Sequence, residues 1–373
     1  MIAAGVMIAQ QTAAKATRDA LFLTSFDIAR LPLMLIVAAS VSIVAGLVAT
    51  RVLRQVGPTR VIPAAFGVSA ALLMVWWGLS FVSAGAAAVL LYIHIAALGG
   101  VLISGFWSLV TERFDPRTAR LQMGRVATGA TLGGFIGGVS AERVAALLGA
   151  AVMLPLLAVL HAVCAARVRS LAAGAAEHIQ PDEEPGEEPG AAGPSSFSVL
   201  VGSAHLRNLA FLLITITVMA TLLDYALKDY VASEWADEPD KLLRFFALFY
   251  TGASLITFLI QSLGGKWVLQ RFGLSGAAAS LPAAVGILGT VALFIPGVVT
   301  LVIARGMEAA LRSSLFRSGY ELFYTPIPAD EKRATKTIID VGADRAGDIL
   351  GSVVVLALLA LVPASGTYFA LLG

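Results

Sequence analysis

Ionisable and amide side chains that recur at helical spacing inside apolar stretches are the residues of this sequence able to do chemistry. Near the N-terminus, Gln11, Lys15, Arg18 and Asp19 lie within such a stretch. Positions i, i+4, i+7 and i+8 share one face of a helix. The pattern therefore predicts a polar helix face with two cations, and cations of this kind bind anions by charge-assisted hydrogen bonds.

A second stripe of ionisable residues lies near the C-terminus. Lys336, Asp340, Asp344 and Asp348 follow each other at steps of four, and Arg345 flanks them. Opposite charges at i and i+4 can pair on a helix. We expect these pairs to exchange partners when a transporter changes conformation.

Further pairs of ionisable residues occupy the same spacing elsewhere. Arg317 and Glu321 stand four residues apart, as do Asp224 and Lys228. For Asp224 and Lys228 we expect an ion pair within the helix or between two halves of the molecule. Glu112 lies at the predicted end of a helix, where we expect ion pairing that changes with conformation.

Charges at the centre of a membrane helix are costly, at about 2.5–3.5 kcal/mol each. Their total would far exceed a net stability of roughly 5–15 kcal/mol if they faced lipid. Most of them must therefore face one another or water inside a helical bundle. The residues concerned are Lys15, Arg18, Asp224, Lys228, Arg305, Glu308, Arg312, Arg317, Glu321, Lys336, Asp340, Asp344, Arg345 and Asp348.

The elements that position these residues are predicted to be membrane helices. The chain has 373 residues, 58% of them hydrophobic and 13% charged, with a mean hydropathy of +0.85. A soluble domain has about 25% charged residues, so the composition predicts an all-α polytopic membrane protein. Apolar segments are predicted at 1–23, 31–53, 60–82, 85–110, 119–140, 143–167, 206–229, 243–265, 273–296, 298–322, 331–361 and 364–373, the last being too short to cross a bilayer.

The predicted helices fall into two groups of six. Residues 171–204 are rich in Pro, Gly, Ala and Glu, a composition that cannot bury enough apolar surface to fold. We predict a disordered acidic linker there, between an N-terminal bundle at 1–170 and a C-terminal bundle at 205–373.

The two groups also resemble each other in sequence. The stretch Arg51-Val-Leu-Arg-Gln-Val-Gly after the second segment parallels Trp267-Val-Leu-Gln-Arg-Phe-Gly after the eighth. Arg18-Asp19 near the end of the first segment likewise parallels Lys228-Asp229 in the seventh. A repeat of six helices with a long central loop is the pattern of a major facilitator bundle, whose substrate lies between the halves near the midplane.

Charge also indicates orientation and excludes several functions. Basic residues concentrate in the connections on one side, which predicts a cytoplasmic N-terminus and a cytoplasmic linker.

A net charge of +2 is too small to suggest nucleic-acid binding. One cysteine excludes an internal disulfide, and the spacing of the four histidines does not fit a metal site. With no nucleophile–base pair in view either, we expect neither an enzyme nor a cofactor.

Basic residues in both halves suit an anionic small-molecule substrate held between them. The residues predicted to contact it are Lys15, Arg18, Arg317, Lys336 and Arg345. The residues predicted to pair with these cations, or to act in gating, are Asp19, Glu112, Asp224, Lys228, Glu321, Asp340 and Asp344.

Four stretches carry a resemblance to a known family. They are Lys15-Ala-Thr-Arg-Asp-Ala-Leu-Phe-Leu, Phe106-Trp-Ser-Leu-Val-Thr-Glu-Arg-Phe, Leu222-Leu-Asp-Tyr-Ala-Leu-Lys-Asp-Tyr and Tyr320-Glu-Leu-Phe-Tyr-Thr-Pro-Ile-Pro. Together they resemble the ATP/ADP translocase (nucleotide transporter) family, and its bacterial branch in particular. The resemblance spans nearly the whole chain.

That resemblance implies twelve helices, nucleotide exchange and a multi-pass location in the inner membrane of a bacterium. It assigns transport roles to Lys15, Glu112 and Lys336, with Arg18 as a neighbour. Some bacterial relatives carry a soluble C-terminal domain, so a domain of that kind absent from this chain is a further expected partner. The chain departs from the family in its dense acids in the eleventh segment.

Three functions remain open from the sequence. The first is a secondary transporter that exchanges a phosphate-bearing anion, such as ATP for ADP, by alternating access. The second is a proton-coupled facilitator for another metabolite, with Asp340 or Asp344 carrying the proton. The third is a non-transporting membrane anchor or sensor whose soluble partner domain is missing.

Overall fold

A computed structural model describes residues 2–113, 116–176, 196–324, 327, 335–336, 338–362 and 371. Within these ranges it leaves out the side chains of 54, 107–108, 110–128, 171–176, 196–198, 264–266, 269 and 318. Every regular element among the described residues is a helix, which confirms the all-α fold class. The predicted twelfth segment at 364–373 lies outside the described residues, apart from Leu371.

Six long helices form the first half of the molecule. They are α1 (Ile2–Ser25), α2 (Leu31–Val56), α3 (Pro58–Ser80), α4 (Ala84–Arg113), α5 (Pro116–Leu148) and α6 (Met153–Ala176). Short 3₁₀ turns precede α2 at Ile28–Arg30 and α6 at Ala150–Val152.

The second half begins after a short helix α7 (Ser196–Gly202). It contains α8 (Ala204–Trp235), α9 (Pro239–Leu259), α10 (Gly265–Phe294), α11 (Val298–Leu311), α12 (Arg317–Phe323) and α13 (Asp344–Leu361). Among the described residues, three π-helical segments extend these helices, at Ile260–Gly264, Arg312–Phe316 and Ile338–Ala343. The segment Arg312–Phe316 joins α11 to α12, so the predicted span at 298–322 is one continuous helix.

Seven stretches among the described residues are long and apolar enough to cross a membrane. The helices α1 and α13 have sufficient length, but each carries three charged residues. Those of α1 are Lys15, Arg18 and Asp19, and those of α13 are Asp344, Arg345 and Asp348. Charges that face lipid are costly. The charged faces of α1 and α13 must therefore point toward the inside of the bundle.

Glycines with positive φ lie at matching positions of the two halves. Gly57 follows α2 with φ of 85°, and Gly273 interrupts α10 with φ of 67°. A side chain is strained in this region of φ, so both sites favour glycine. These are the last residues of the two matching stretches found in the sequence, so the repeat extends to a shared backbone turn.

Helical structure enters both ends of the segment predicted as a linker. The helix α6 continues to Ala176, and α7 occupies Ser196–Gly202. The acidic middle of the segment, 177–195, lies outside the described residues. The division into bundles at 1–170 and 205–373 stays a prediction.

The boundary predicted between the fifth and sixth segments is wrong. The sequence placed a break at 140–143, whereas α5 continues to Leu148 and turns at Gly149, with φ of 84°. Within α5, Arg143 contacts Glu142 at 2.7 Å, so neither charge marks a connection between helices.

The two halves pack against each other through α1, α2 and α5 on one side and α9 and α13 on the other. The largest apolar core contains residues of both halves, among them Phe22, Leu154, Tyr225 and Phe246. Separate smaller cores hold the first half around Phe66 and the second half around Leu281, Leu315 and neighbouring residues.

Candidate functional site

A cavity of about 550 Å³ lies between the two halves of the bundle. This size falls within the roughly 300–1,000 Å³ of small-molecule sites. Its wall includes nine residues with a formal charge, namely Lys15, Arg18, Arg305, Arg312, Arg317, Asp340, Asp344, Arg345 and Asp348. Six of them are cations and three are carboxylates, so the wall itself is cationic.

The structure places the predicted substrate contacts in or beside this cavity. Lys15, Arg18, Arg317 and Arg345 line it, as the sequence led us to expect. Lys336 lies next to it, held by Glu321 at 2.7 Å and Asp340 at 3.3 Å. The structure therefore brings all five cations together, and their role in binding stays a prediction.

An alternating chain of four cations and four carboxylates crosses from one half to the other. We call it the charge chain. In order, its members are Arg18, Asp19, Lys228, Asp224, Arg305, Glu308, Arg312 and Asp344.

The first links of the charge chain join the two halves. Asp19 on α1 contacts Arg18 at 2.8 Å and Lys228 on α8 at 3.2 Å. It also accepts a hydrogen bond of 2.5 Å from Tyr250 Oη on α9. Lys228 then contacts Asp224 at 2.8 Å, one helical turn away. Asp19 and Lys228 are almost fully buried, and such charges are tolerated only when they are paired.

The later links lie within the second half. Arg305 on α11 contacts Asp224 at 3.1 Å and also pairs with Glu308. Arg312 lies 3.9 Å from Glu308 and 2.6 Å from Asp344. The charge chain is balanced overall, because each of its cations has a carboxylate partner.

A separate cluster of two acids and two bases lies toward the other end of the second half. Arg317 contacts Glu321 at 2.8 Å, and Lys336 contacts both Glu321 and Asp340. Tyr320 donates a hydrogen bond of 2.5 Å to Asp340. Arg345 and Asp348 form a further balanced pair at 2.8 Å.

Lys15 differs from every other charged residue of the cavity wall. Its side chain is exposed to the cavity, and among the described residues it has no carboxylate partner. Arg18, its neighbour on α1, is paired with Asp19 and lies 4.4 Å from the ring centroid of Tyr92. Among the side chains that the structure describes, Lys15 is therefore the one cavity cation that no carboxylate balances.

Sequence reasoning identified some members of this site and missed others. It counted Arg305, Glu308 and Arg312 as buried charges but gave them no role in the site. Their spacing at i, i+3 and i+7 was the signal that could have placed them on one helix face. Tyr92 and Tyr250 have no charge and gave no signal.

Glu112, predicted as a gating residue, lies on α4, but its side chain is outside those that the structure describes. Its role stays a prediction.

The contacts between the halves gather at one end of the bundle, where α1, α5 and α8 end and α9 begins. Arg244 on α9 contacts Glu142 on α5 at 2.8 Å. The backbone amide of Ala150 donates a hydrogen bond of 2.6 Å to Asp240. Among the described side chains, which exclude 110–128, ion pairs between the halves occur only at this end.

Comparison with known proteins gives one family match. Residues 186–372 match the model of the TLC ATP/ADP transporter family. No curated protein sequence matches the chain.

Several solved structures share the fold. The nucleoside transporter NupG superposes with a TM-score of 0.68 at 10% identity, covering 100% of this chain and 95% of NupG. A bacterial homologue of the iron transporter ferroportin, in an inward-facing state, gives 0.58 at 13% identity, covering 100% and 94%. The major facilitator superfamily transporter FucP, in the outward conformation, gives 0.55 at 14% identity, covering 99% and 94%. At these identities the likeness concerns the fold.

Proposed function

The chain belongs to the TLC ATP/ADP transporter family, and we propose that it exchanges an anionic, phosphate-bearing solute such as ATP or ADP by alternating access. It is a membrane transport protein rather than an enzyme, as its family and its fold indicate. The observation that carries the choice of an anion is Lys15, the cavity cation without a carboxylate partner among the described residues.

The position of Lys15 favours binding of an anion over a structural role. A buried structural lysine is held by carboxylates, as Lys228 is held by Asp19 and Asp224. Lys15 instead points into open space between the halves. An anionic group of the solute would complete its charge balance with a charge-assisted hydrogen bond.

The remaining cations would bind the solute by exchanging partners. Arg18 from the first half and Arg317, Lys336 and Arg345 from the second half are each paired in this structure. A polyphosphate that enters the cavity would compete with those carboxylates. A carboxylate displaced in this way must turn to water or to another cation, which is easiest for Glu321, because its side chain is 40% exposed.

The closed end of the bundle supports alternating access. Contacts between the halves at Glu142–Arg244 and Asp19–Lys228 close one end of the cavity. If the N-terminus is cytoplasmic, as the basic residues predict, that closed end faces outward. The described conformation would then be inward-facing.

The geometry gives less support to proton coupling through Asp340 or Asp344. Asp340 accepts a hydrogen bond from Tyr320 and contacts Lys336, and Asp344 contacts Arg312 at 2.6 Å. Both carboxylates are therefore already engaged by cationic partners in this structure. The family match and the fold favour a transporter over the alternative of a membrane anchor or sensor.

Exchange in proteoliposomes tests the proposal. Purified protein is reconstituted into vesicles loaded with ADP, and uptake of labelled ATP is measured. We expect uptake that requires internal ADP and that falls at least about tenfold in Lys15→Ala, since a charge-assisted hydrogen bond contributes about 1.5–3 kcal/mol. Absence of exchange by the wild-type protein would reject ATP/ADP exchange.

A further inference from the structure

The two faces of the cavity differ in charge. The second half contributes arginines and carboxylates, whereas the first half, beyond Lys15 and Arg18, contributes neutral polar groups. These are Gln10, Gln11, Ser69, Tyr92, His94 and His161. We call this surface the neutral wall.

His94 is held in one neutral form by its hydrogen bonds. Trp76 Nε1–H can only donate, so it fixes His94 Nδ1 as an acceptor at 3.0 Å. The proton of the neutral ring must then lie on Nε2, which donates to Ser69 Oγ at 2.8 Å. Both ring nitrogens are thus engaged, and His94 supports the neutral wall without adding charge.

His161 presents an unused acceptor. Its Nδ1 lies 2.8 Å from the carbonyl oxygen of Leu157, which can only accept, so Nδ1 carries the proton. Nε2 therefore has a free lone pair, and among the described residues it has no donor. His161 is only 2% exposed and lines the cavity.

Gln10 presents an unused amide group in the same wall. It is also 2% exposed, and its amide nitrogen makes one weak contact of 3.6 Å with Met7 Sδ. Its carbonyl oxygen has no donor among the described residues. Buried polar groups are normally hydrogen-bonded. Gln10 and His161 each keep a hydrogen-bonding atom without a partner among the described residues, and both residues lie at the cavity surface.

The neutral wall lies at the depth of Lys15. Lys15 stands ten residues before the end of α1, and His94 stands ten residues after the start of α4. At 1.5 Å per residue both lie about 15 Å from that end of the bundle. A single solute could therefore contact Lys15 and the neutral wall together.

We propose that the neutral wall binds the uncharged part of the solute, a heterocycle or sugar with at least one N–H or O–H donor for His161. Gln10 can donate to and accept from the same group. Lys15 and the arginines hold the anionic part. This inference rests on the proposed function and makes Gln10 and His161 specificity residues.

Binding of two matched ligands separates the two parts of the cavity. ADP and inorganic pyrophosphate share a diphosphate, but only ADP has a base and a sugar. Affinities for both are measured by titration calorimetry on the purified full chain. We expect ADP to bind about tenfold or more tightly than pyrophosphate.

Variants of the neutral wall should then act on ADP alone. Gln10→Leu and His161→Phe should each weaken ADP about tenfold and leave pyrophosphate within about twofold. Lys15→Gln should weaken both ligands. Thr12→Val, in a buried polar residue of α1 that does not line the cavity, is the matched control and should change neither.

The outcomes separate this inference from the proposed function. Equal losses for both ligands in Gln10→Leu and in His161→Phe, or no loss for either, would overturn the inference and leave anion transport standing. If the wild type bound pyrophosphate as tightly as ADP, this inference would also be overturned, and anion transport would still stand. Failure of the wild type to bind either ligand would overturn the proposed function and this inference with it.

Discussion

Asp19 is the residue at which the charges of the two halves meet. Its two oxygens contact Arg18 from its own helix, and Lys228 and Tyr250 from the other half. It is 1% exposed, so the cost of removing its charge from water is offset only by these partners. Replacing it would leave Lys228 with Asp224 alone.

Asp19→Asn should therefore destabilise the protein strongly. The amide directs an N–H group at a cation, and breaking a buried pair by changing one partner costs about 3–5 kcal/mol. Thermal unfolding of the purified protein in detergent measures the effect. The matched control is Glu238→Gln, which removes the exposed pair with Lys241 and should cost less than about 1 kcal/mol. Equal stability of the two variants would contradict a structural role for the charge chain.

Glycine allows two equivalent pairs of helices to approach each other closely. On α5, Gly133 and Gly137 face the backbone of α1 at Gly5 and Ala9. On the second half, glycines of α13 at 347 and 351 meet threonines of α8 at 217 and 221. Small residues four apart are the usual contact between membrane helices. These close contacts hold α1 and α13 in place. The two helices together carry five of the charged residues of the cavity wall, namely Lys15, Arg18, Asp344, Arg345 and Asp348.

A side chain at Gly137 should disrupt the first of these pairs. A Cβ there would collide with the backbone of Ala9, which cannot move aside as a flexible side chain could. We expect Gly137→Val to lower the unfolding temperature and the yield of monodisperse protein. Gly289→Ala is the control, because no atom lies within 4 Å of a Cβ added there. A Gly137→Val protein as stable as the control would refute close packing of α1 on α5.

Pairs within one helix could be predicted from the sequence, whereas pairs between helices could not. The spacing of four identified Arg317–Glu321, Lys336–Asp340 and Asp224–Lys228, and all three pairs are present. Contacts such as Arg305–Asp224 depend on how two helices pack, which spacing does not encode.

The predicted stripe on the eleventh segment shows the same limit. Asp340, Asp344 and Asp348 all line the cavity, as expected of one helix face, but Asp340 pairs with Lys336 and Asp344 pairs with Arg312. The π-helical segment Ile338–Ala343 contains Asp340 and ends immediately before Asp344. Which cation each carboxylate meets depends on how the neighbouring helices pack, so these partners could not be predicted from the spacing.

The two halves of the molecule are joined by polar contacts at one end of the bundle. Glu142 is 3% exposed and pairs with Arg244 across the halves. Ala145, one turn further along α5, is 2% exposed and belongs to the shared core. An alternating-access cycle must open this end, and these contacts must then break.

Glu142→Gln should shift the population toward molecules open at this end. A cysteine at Ala145 reports the change, because it can react with a maleimide only when the halves separate. We expect faster alkylation of Ala145→Cys in the Glu142→Gln background than in the parent. Leu148→Cys, at a position that is already 63% exposed, should react equally in both. Unchanged alkylation at Ala145 would show that Glu142 does not hold this end closed.

The positive charge at position 15 carries the proposed binding of an anion, and chemical rescue tests this charge directly. Cys164 is the sole cysteine of the sequence and is buried, so Lys15→Cys provides an accessible thiol. Exchange of labelled nucleotide is measured before and after modification with an aminoethyl methanethiosulfonate, which restores an ammonium group, or with the neutral methyl reagent.

We predict that Lys15→Cys loses exchange, that the aminoethyl reagent restores it and that the methyl reagent does not. Full exchange by unmodified Lys15→Cys, or equal recovery with the neutral reagent, would contradict the binding of an anion at Lys15.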